Sequence, residues 1–238
     1  MKDLFRIAVL LGSIILVVFI LFLISLRDRR PRIYFAAEAG DTNLIAHYLA
    51  LGTNVNTPVF CSSPTEKHES APIVEIAAVN GRLNTIKFLL ANGANPNQLD
   101  SDGNTPLLCA LGSTRNDVAP ETRAQILKML LDNGADPNLA SSNGFNTPLI
   151  EASLLGQTDA AKILLANGAR VGQANNEGST PLHFAGNAEI ARLLISAGAD
   201  AHTRTAGQEG ETPVESARRL GHIGTLEVLT NLSSVTNK

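Results

Sequence analysis

A short pattern recurs along this chain, and its spacing constrains the fold more than any other feature. Thr-Pro pairs begin at Thr105, Thr147, Thr180 and Thr212, which are 42, 33 and 32 residues apart. A glycine after an apolar run also recurs, at spacings of 41, 41, 34 and 30 residues. These glycines are Gly52, Gly93, Gly134, Gly168 and Gly198. A period of about 33 residues with variable insertions is typical of a solenoid of stacked units.

Each unit contains the signals for two short helices. A threonine before proline can cap a helix, and proline at the first helical position gives up a donor that is unpaired there. The second apolar run, such as Ile126–Leu131 or Ile190–Leu194, keeps one buried stripe and exposes a charge. The following glycine is expected to end that helix in a left-handed conformation.

These features together resemble the ankyrin repeat family. The segment Thr180–Ala185 fits the family motif Thr-Pro-Leu-His-x-Ala, and Asn133–Asp136 fits its helix end. The resemblance covers residues 34–232 and implies an all-α repeat solenoid, an ankyrin repeat stack with hairpin fingers between units. It also implies that the motif histidine, His183, is structural. We count six units, which start near Tyr34, Ala71, Thr105, Thr147, Thr180 and Thr212.

Three stretches of the chain differ in length from the pattern. The linker within 57–70 is about eight residues longer than the next one, and about eight residues are inserted between the helices of the third unit, at 112–120. Either insertion is a functional loop or a tolerated surface insertion. The fifth unit lacks three residues between Ala185 and Ile190, which predicts the loss of about one helical turn and a local bend.

An uncharged apolar segment precedes the repeats. Residues 7–26 contain no charge, and twenty residues of helix span about 30 Å, the thickness of the hydrocarbon core. We predict a tail at 1–6, a single transmembrane helix at 7–26, a basic linker at 27–33 and a polar C-terminal tail at 233–238. Basic residues after the segment favour a cytoplasmic repeat domain, while an extracytoplasmic or periplasmic side stays open.

Charge and motifs argue against several functions. Residues 34–238 carry 13 Lys/Arg and 20 Asp/Glu, a poor match for nucleic acid. We find no catalytic, nucleotide-binding or metal-site motif and therefore expect no enzyme activity, cofactor, metal or small-molecule substrate. Residues 100–104 resemble a calcium loop superficially, but a turn is expected there. Cys61 and Cys109 allow a disulfide, and Cys109 on a first helix is expected to be a small buried hydrophobe.

The finger tips are the candidate partner-binding site. The resemblance to ankyrin arrays implies that fingers and first-helix faces line a concave binding surface. Phe145 stands out as an aromatic residue among polar neighbours, either a binding hot spot or a residue packed on the next finger. Weaker candidates on first helices are Glu75, Val79, Glu151 and Leu154. The finger candidates are Gln98, Asp100, Asp102, Ser141, Ser142, Phe145, Asn175, Glu177, Gln208 and Glu209.

Two functional hypotheses follow. The first is a membrane-anchored scaffold that binds partner proteins through the concave face and fingers, with the membrane contacted through residues 7–26. The second is a membrane-tethered inhibitor or immunity-type protein that masks one specific partner. Acidic fingers favour a basic patch on the partner, mainly through the association rate.

Overall fold

The computed structural model describes residues 31–60, 70–112, 118–142, 145–207 and 210–236. The predicted membrane segment, 7–26, lies outside these ranges. Within them, no helix is both long enough and apolar enough to cross a bilayer.

The described residues form six consecutive helix pairs, as the repeat spacing predicts. Within each pair, the first helix is followed along the chain by the second. The pairs are α1 (Arg32–Ala39) with α2 (Thr42–Ala50), α3 (Ile73–Val79) with α4 (Leu83–Ala91), α5 (Pro106–Gly112) with α6 (Pro120–Asp132), α7 (Pro148–Leu154) with α8 (Thr158–Ala166), a 3-10 helix (Pro181–Phe184) with α9 (Ala188–Ser196), and α10 (Pro213–Leu220) with α11 (Ile223–Thr236). The last helix thus runs into the segment that was expected to be a polar tail.

The predicted helix caps are present. The side-chain oxygen of Thr147 accepts a hydrogen bond from the backbone N–H of Ile150, 3.2 Å away, and Thr105 and Thr212 cap α5 and α10 in the same way. At the other end of the units, the predicted glycines have left-handed backbones with φ between 85° and 91°. Both kinds of helix boundary therefore follow from the residues that recur in the sequence.

The helices stack in two layers. Each first helix packs on the first helices of its neighbours, and each second helix does the same in its own layer. Small residues such as Ala77, Ala152 and Ala191 are almost fully buried between helices, while Ile86 and Leu130 fill the core from the second layer. Small side chains allow the close approach of short helices, so the shortage of aromatic residues fits this packing.

Asparagine side chains join successive units at the turn after the second helix. Asn97 donates from Nδ2 to the carbonyl of Gly134 and accepts at Oδ1 from the N–H of Asp136, both at 2.8 Å. Asn56 and Asn138 make the same two bonds to the units that follow them. We call these three side chains the asparagine rungs. Each satisfies two backbone groups that the turn leaves without a partner.

The departures from the repeat take three different forms. The long linker begins and ends in an antiparallel pair of short strands, β1 (Val59–Phe60) and β2 (Ser70–Ala71), which the sequence did not predict. In the third unit part of the insertion is helical, since α6 has 13 residues and α4 has nine. In the fifth unit the first helix is shortened to a four-residue 3-10 helix, as expected. The predicted bend there stays a prediction.

Candidate partner-binding surface

The finger candidates divide into residues that hold the turns and residues that face solvent. Asp100 Oδ1 accepts from the N–H groups of Asp102 and Asn104, at 2.9 and 2.7 Å. Asn175 makes the same pair of bonds in the fifth unit. Gln98 donates to the carbonyl of Asn56 at 2.8 Å. The polar groups of these three candidates are thus used inside the stack.

Other finger candidates are more exposed to solvent. Asp102, Ser142, Phe145 and Glu177 are exposed, and Ser141 is half-buried. Gln208 and Glu209 lie outside the described residues. The described part of the fingers therefore exposes carboxylates and two large apolar side chains, Leu99 and Phe145.

Adjacent fingers are joined through their backbones. The N–H of Ser142 donates to the carbonyl of Gly103 at 2.9 Å, and the N–H of Ala206 donates to that of Glu177 at 2.6 Å. A similar bond runs from Ser101 to Ser70 of β2. No such backbone bond joins the fourth finger to the fifth among the residues that the structure describes. Side chains join these two fingers instead, since Asn175 Nδ2 donates to Asn146 Oδ1 at 3.1 Å.

Phe145 has an unusual backbone for its residue type. Its φ is 56°, and it is the one non-glycine residue with positive φ in the described chain. Phe145 lies two residues before the threonine of its Thr-Pro pair, Thr147. The equivalent residues of the third and fifth fingers are Gly103 and Gly178, with φ of 76° and 74°. A Cβ at either glycine would collide with the next finger. Phe145 therefore carries a side chain at a position where its two counterparts have none.

The side chain of Phe145 is partly open to solvent. It is 52% exposed, so about half of its surface is open to solvent, and the choice between a binding hot spot and packing on a neighbouring finger stays a prediction. Leu154 and Leu155, at the end of α7 in the same unit, are 42% and 45% exposed. The fourth unit thus exposes three large apolar residues on its finger and first helix.

A cluster of three polar groups lies between the second and third units, and the sequence did not indicate it. Glu75 on α3, Asp100 in the finger and Cys109 on α5 each place one ligand-type atom within 4.8 Å of the other two. Burial, with a further contribution from the Asp100 carboxylate, raises the pKa of Glu75 to about 8. Burial and the same two carboxylates raise the pKa of the Cys109 thiol above its usual range.

The expectation that Cys109 is a buried hydrophobe is wrong. The residue is half-buried, and its Sγ lies 3.7 Å from Asp100 Oδ2. Its thiol is free in this structure, and Cys61 lies outside the described residues. Cys109 is not surrounded by apolar groups because the finger segment that begins at Asp100 folds back over this face of α5. The Asp100 carboxylate therefore lies beside the thiol.

His183 has the structural role that the repeat motif implied. Its Nδ1 lies 3.1 Å from the N–H of Thr180 and 2.9 Å from the hydroxyl of that residue, and Nε2 lies 3.1 Å from the carbonyl of Glu211 in the next finger. Burial lowers the pKa of this imidazole. Residues 100–104 form a turn closed by the Asp100 N–H and the Asn104 carbonyl, as expected.

Comparisons with known proteins agree with this architecture. A family model described as ankyrin repeats, in three copies, matches residues 33–140 and again residues 116–205. The crystal structure of an ankyrin repeat domain from Acinetobacter baumannii AYE has a TM-score of 0.65 and 26% identity, over 84% of this chain and 96% of that one.

A human protein also matches part of the chain. It is the transient receptor potential cation channel subfamily A member 1, which is 31% identical over 146 residues. The match covers 60% of this chain and 11% of the channel's length, so it concerns a small part of that protein. With the family model matching most of the described stack, the chain belongs to the ankyrin repeat family.

Proposed function

We propose that this chain is a membrane-anchored, non-catalytic scaffold that binds partner proteins through the first-helix and finger side of its ankyrin stack. The observation that carries the proposal is Phe145. A large apolar side chain is held in solvent by a backbone conformation that costs about 1–3 kcal/mol. Such strain together with exposure supports a role in binding, because neither contributes to the stability of the stack.

The surroundings of Phe145 support this role. Leu154 and Leu155, at the other end of α7, are also exposed, and exposed aromatic or apolar residues within a polar rim are frequent interaction sites. The exposed carboxylates of Asp102 and Glu177 lie in the fingers on either side. This arrangement favours a partner with an apolar anchor and a basic rim.

The membrane anchor is the second part of the proposal. It rests on the twenty uncharged residues at 7–26 and on the basic residues that follow them. Alkaline extraction of membranes tests it: the full chain is expected to stay in the pellet, and release into the supernatant would contradict the anchor. A reporter fused after Lys238 would identify the side of the membrane, for which the cytoplasmic side is expected.

Partner binding is tested by crosslinked purification of the full chain from detergent-treated membranes. Phe145→Ala is compared with Leu51→Ala, which removes a side chain that is 69% exposed at the end of α2, a second helix. Loss of the partners with Phe145→Ala and their retention with Leu51→Ala is the expected result. Equal recovery with both variants would contradict the proposed surface. A single tight partner would favour the inhibitor hypothesis over the scaffold.

A further inference from the structure

We propose that Glu75, Asp100 and Cys109 form a binding site for a divalent metal ion of the zinc class. The site lies between the second and third units, on the side of the first helices and fingers. It is separate from Phe145 and does not depend on the scaffold function. The proposal rests on the geometry of the three side chains and on a buried carboxylate oxygen without a partner.

The buried oxygen belongs to Glu75. This residue is only 7% exposed, and its Oε2 has no hydrogen-bond partner in the structure. A buried carboxylate is costly unless it is paired, hydrogen-bonded or bound to a metal. Among the described residues, no basic side chain forms an ion pair with Glu75 or Asp100. A cation would supply the missing partner.

The spacing of the donor atoms fits zinc coordination. With a Zn–S bond of about 2.3 Å and a Zn–O bond of about 2.1 Å, tetrahedral geometry places sulfur and oxygen about 3.6 Å apart. The distance from Cys109 Sγ to Asp100 Oδ2 is 3.7 Å. The Glu75 carboxylate lies within 4.8 Å of both atoms, so a small side-chain movement brings it into range.

The chemistry of the donors selects the metal. One thiolate with two carboxylates suits zinc or cobalt better than magnesium or calcium, which prefer oxygen ligands alone. Asp100 is held in place by its turn, because Oδ1 accepts two backbone N–H groups while Oδ2 faces the thiol. Such hydrogen bonds to a ligating carboxylate are a regular feature of metal sites. Three protein ligands leave a fourth position for water, and the half-buried Asp100 and Cys109 give access to it.

The test uses Co²⁺ as a spectroscopic probe, with the full chain in detergent under reducing conditions. We expect one equivalent of Co²⁺ to produce a thiolate-to-cobalt charge-transfer band that Zn²⁺ abolishes by displacement. Cys109→Ser is expected to remove the band, whereas Cys61→Ser, the matched control for the other cysteine, is expected to retain it. Glu75→Gln and Asp100→Asn are each expected to weaken Co²⁺ binding by about tenfold or more.

A stability measurement provides an independent readout. Excess Zn²⁺ is expected to raise the unfolding midpoint of the wild type and of Cys61→Ser, and to leave that of Cys109→Ser unchanged. Cys109→Ala replaces Cys109→Ser if the serine variant does not fold. Absence of the band in the wild type, its persistence without Cys109, or unchanged affinity in Glu75→Gln would overturn the site.

Discussion

The asparagine rungs predict a stabilising substitution at Gly172. Asn97 and Asn138 each lie four residues after the glycine that ends the second helix of their unit. In the fourth unit the residue at this position is Gly172, so the row of rungs ends there. The turn itself is the same, since the Gln173 N–H donates to the Arg170 carbonyl at 3.2 Å, as the equivalent groups do in the earlier units. Gly172→Asn is therefore expected to add a fourth rung, directed at the next unit.

The magnitude follows from the existing rungs. The new side chain would reach the carbonyl of Gly198 and the N–H of Asp200, which correspond to the partners of Asn138. Each hydrogen bond contributes about 0.5–1.5 kcal/mol net, and replacement of a glycine without positive φ adds about 0.4–1 kcal/mol. A Cβ at Gly172 meets nothing within 4 Å, so no clash offsets the gain. We expect about 2 kcal/mol in total.

The assay is urea unfolding of the full chain in mild detergent, followed by far-ultraviolet circular dichroism. Gly172→Ala is the matched control, because it removes the flexible glycine without adding hydrogen bonds. The asparagine variant is expected to exceed the alanine variant by about 1–2 kcal/mol, or about 2–8 °C in melting temperature. Equal stability of the two variants would refute the role of the rungs in joining units.

Three further predictions use the same unfolding assay. Phe145→Gly is expected to raise stability by about 1 kcal/mol by relieving the left-handed backbone, and lower stability would show that the side chain packs in the fold. Thr147→Ala is expected to cost about 1 kcal/mol through loss of the cap on Ile150, whereas Thr147→Ser should cost less. Because burial lowers the pKa of His183, the unfolded chain binds more protons below about pH 6.5, so stability should fall as the pH drops from 7 through the folded-state pKa. His183→Gln should reduce this pH dependence, and an unchanged slope would assign it to other groups.

The regular parts of the fold were predictable because their signals repeat. The Thr-Pro caps, the glycine at the end of each second helix and the role of His183 each depend on a few neighbouring residues. The strands β1 and β2 and the long helix α6 were not predicted, because inserted residues have no equivalent in other units for comparison. Their structure depends on contacts that only the folded stack provides.

The cluster around Glu75 was missed for a different reason. In the second unit Pro72 lies one residue before the first helix, whereas Pro148 and Pro213 are the first residues of theirs, and this shift obscured the register. Glu75 lies six residues before Gly81, the glycine between the two helices of its unit. In the fourth unit, the residue six positions before the corresponding Gly156 is Ile150, which is fully buried. A carboxylate at a core position was therefore visible in the sequence, but only when the register was taken from the helix end. The approach of Asp100 and Cys109 required the structure.

The features that stabilise this stack and the features proposed to bind differ in how often they occur. The asparagine rungs join the first four units in the same way, and they contribute to the stability of that part of the stack. Phe145 and the cluster around Glu75 each occur once, at positions where other units have glycine or an apolar residue. A surface of identical units would accept a partner in several registers along the stack, since each shift presents the same groups. Under the proposed function, Phe145 as the apolar anchor allows only one register, so the fourth finger would give the surface a defined orientation toward its partner.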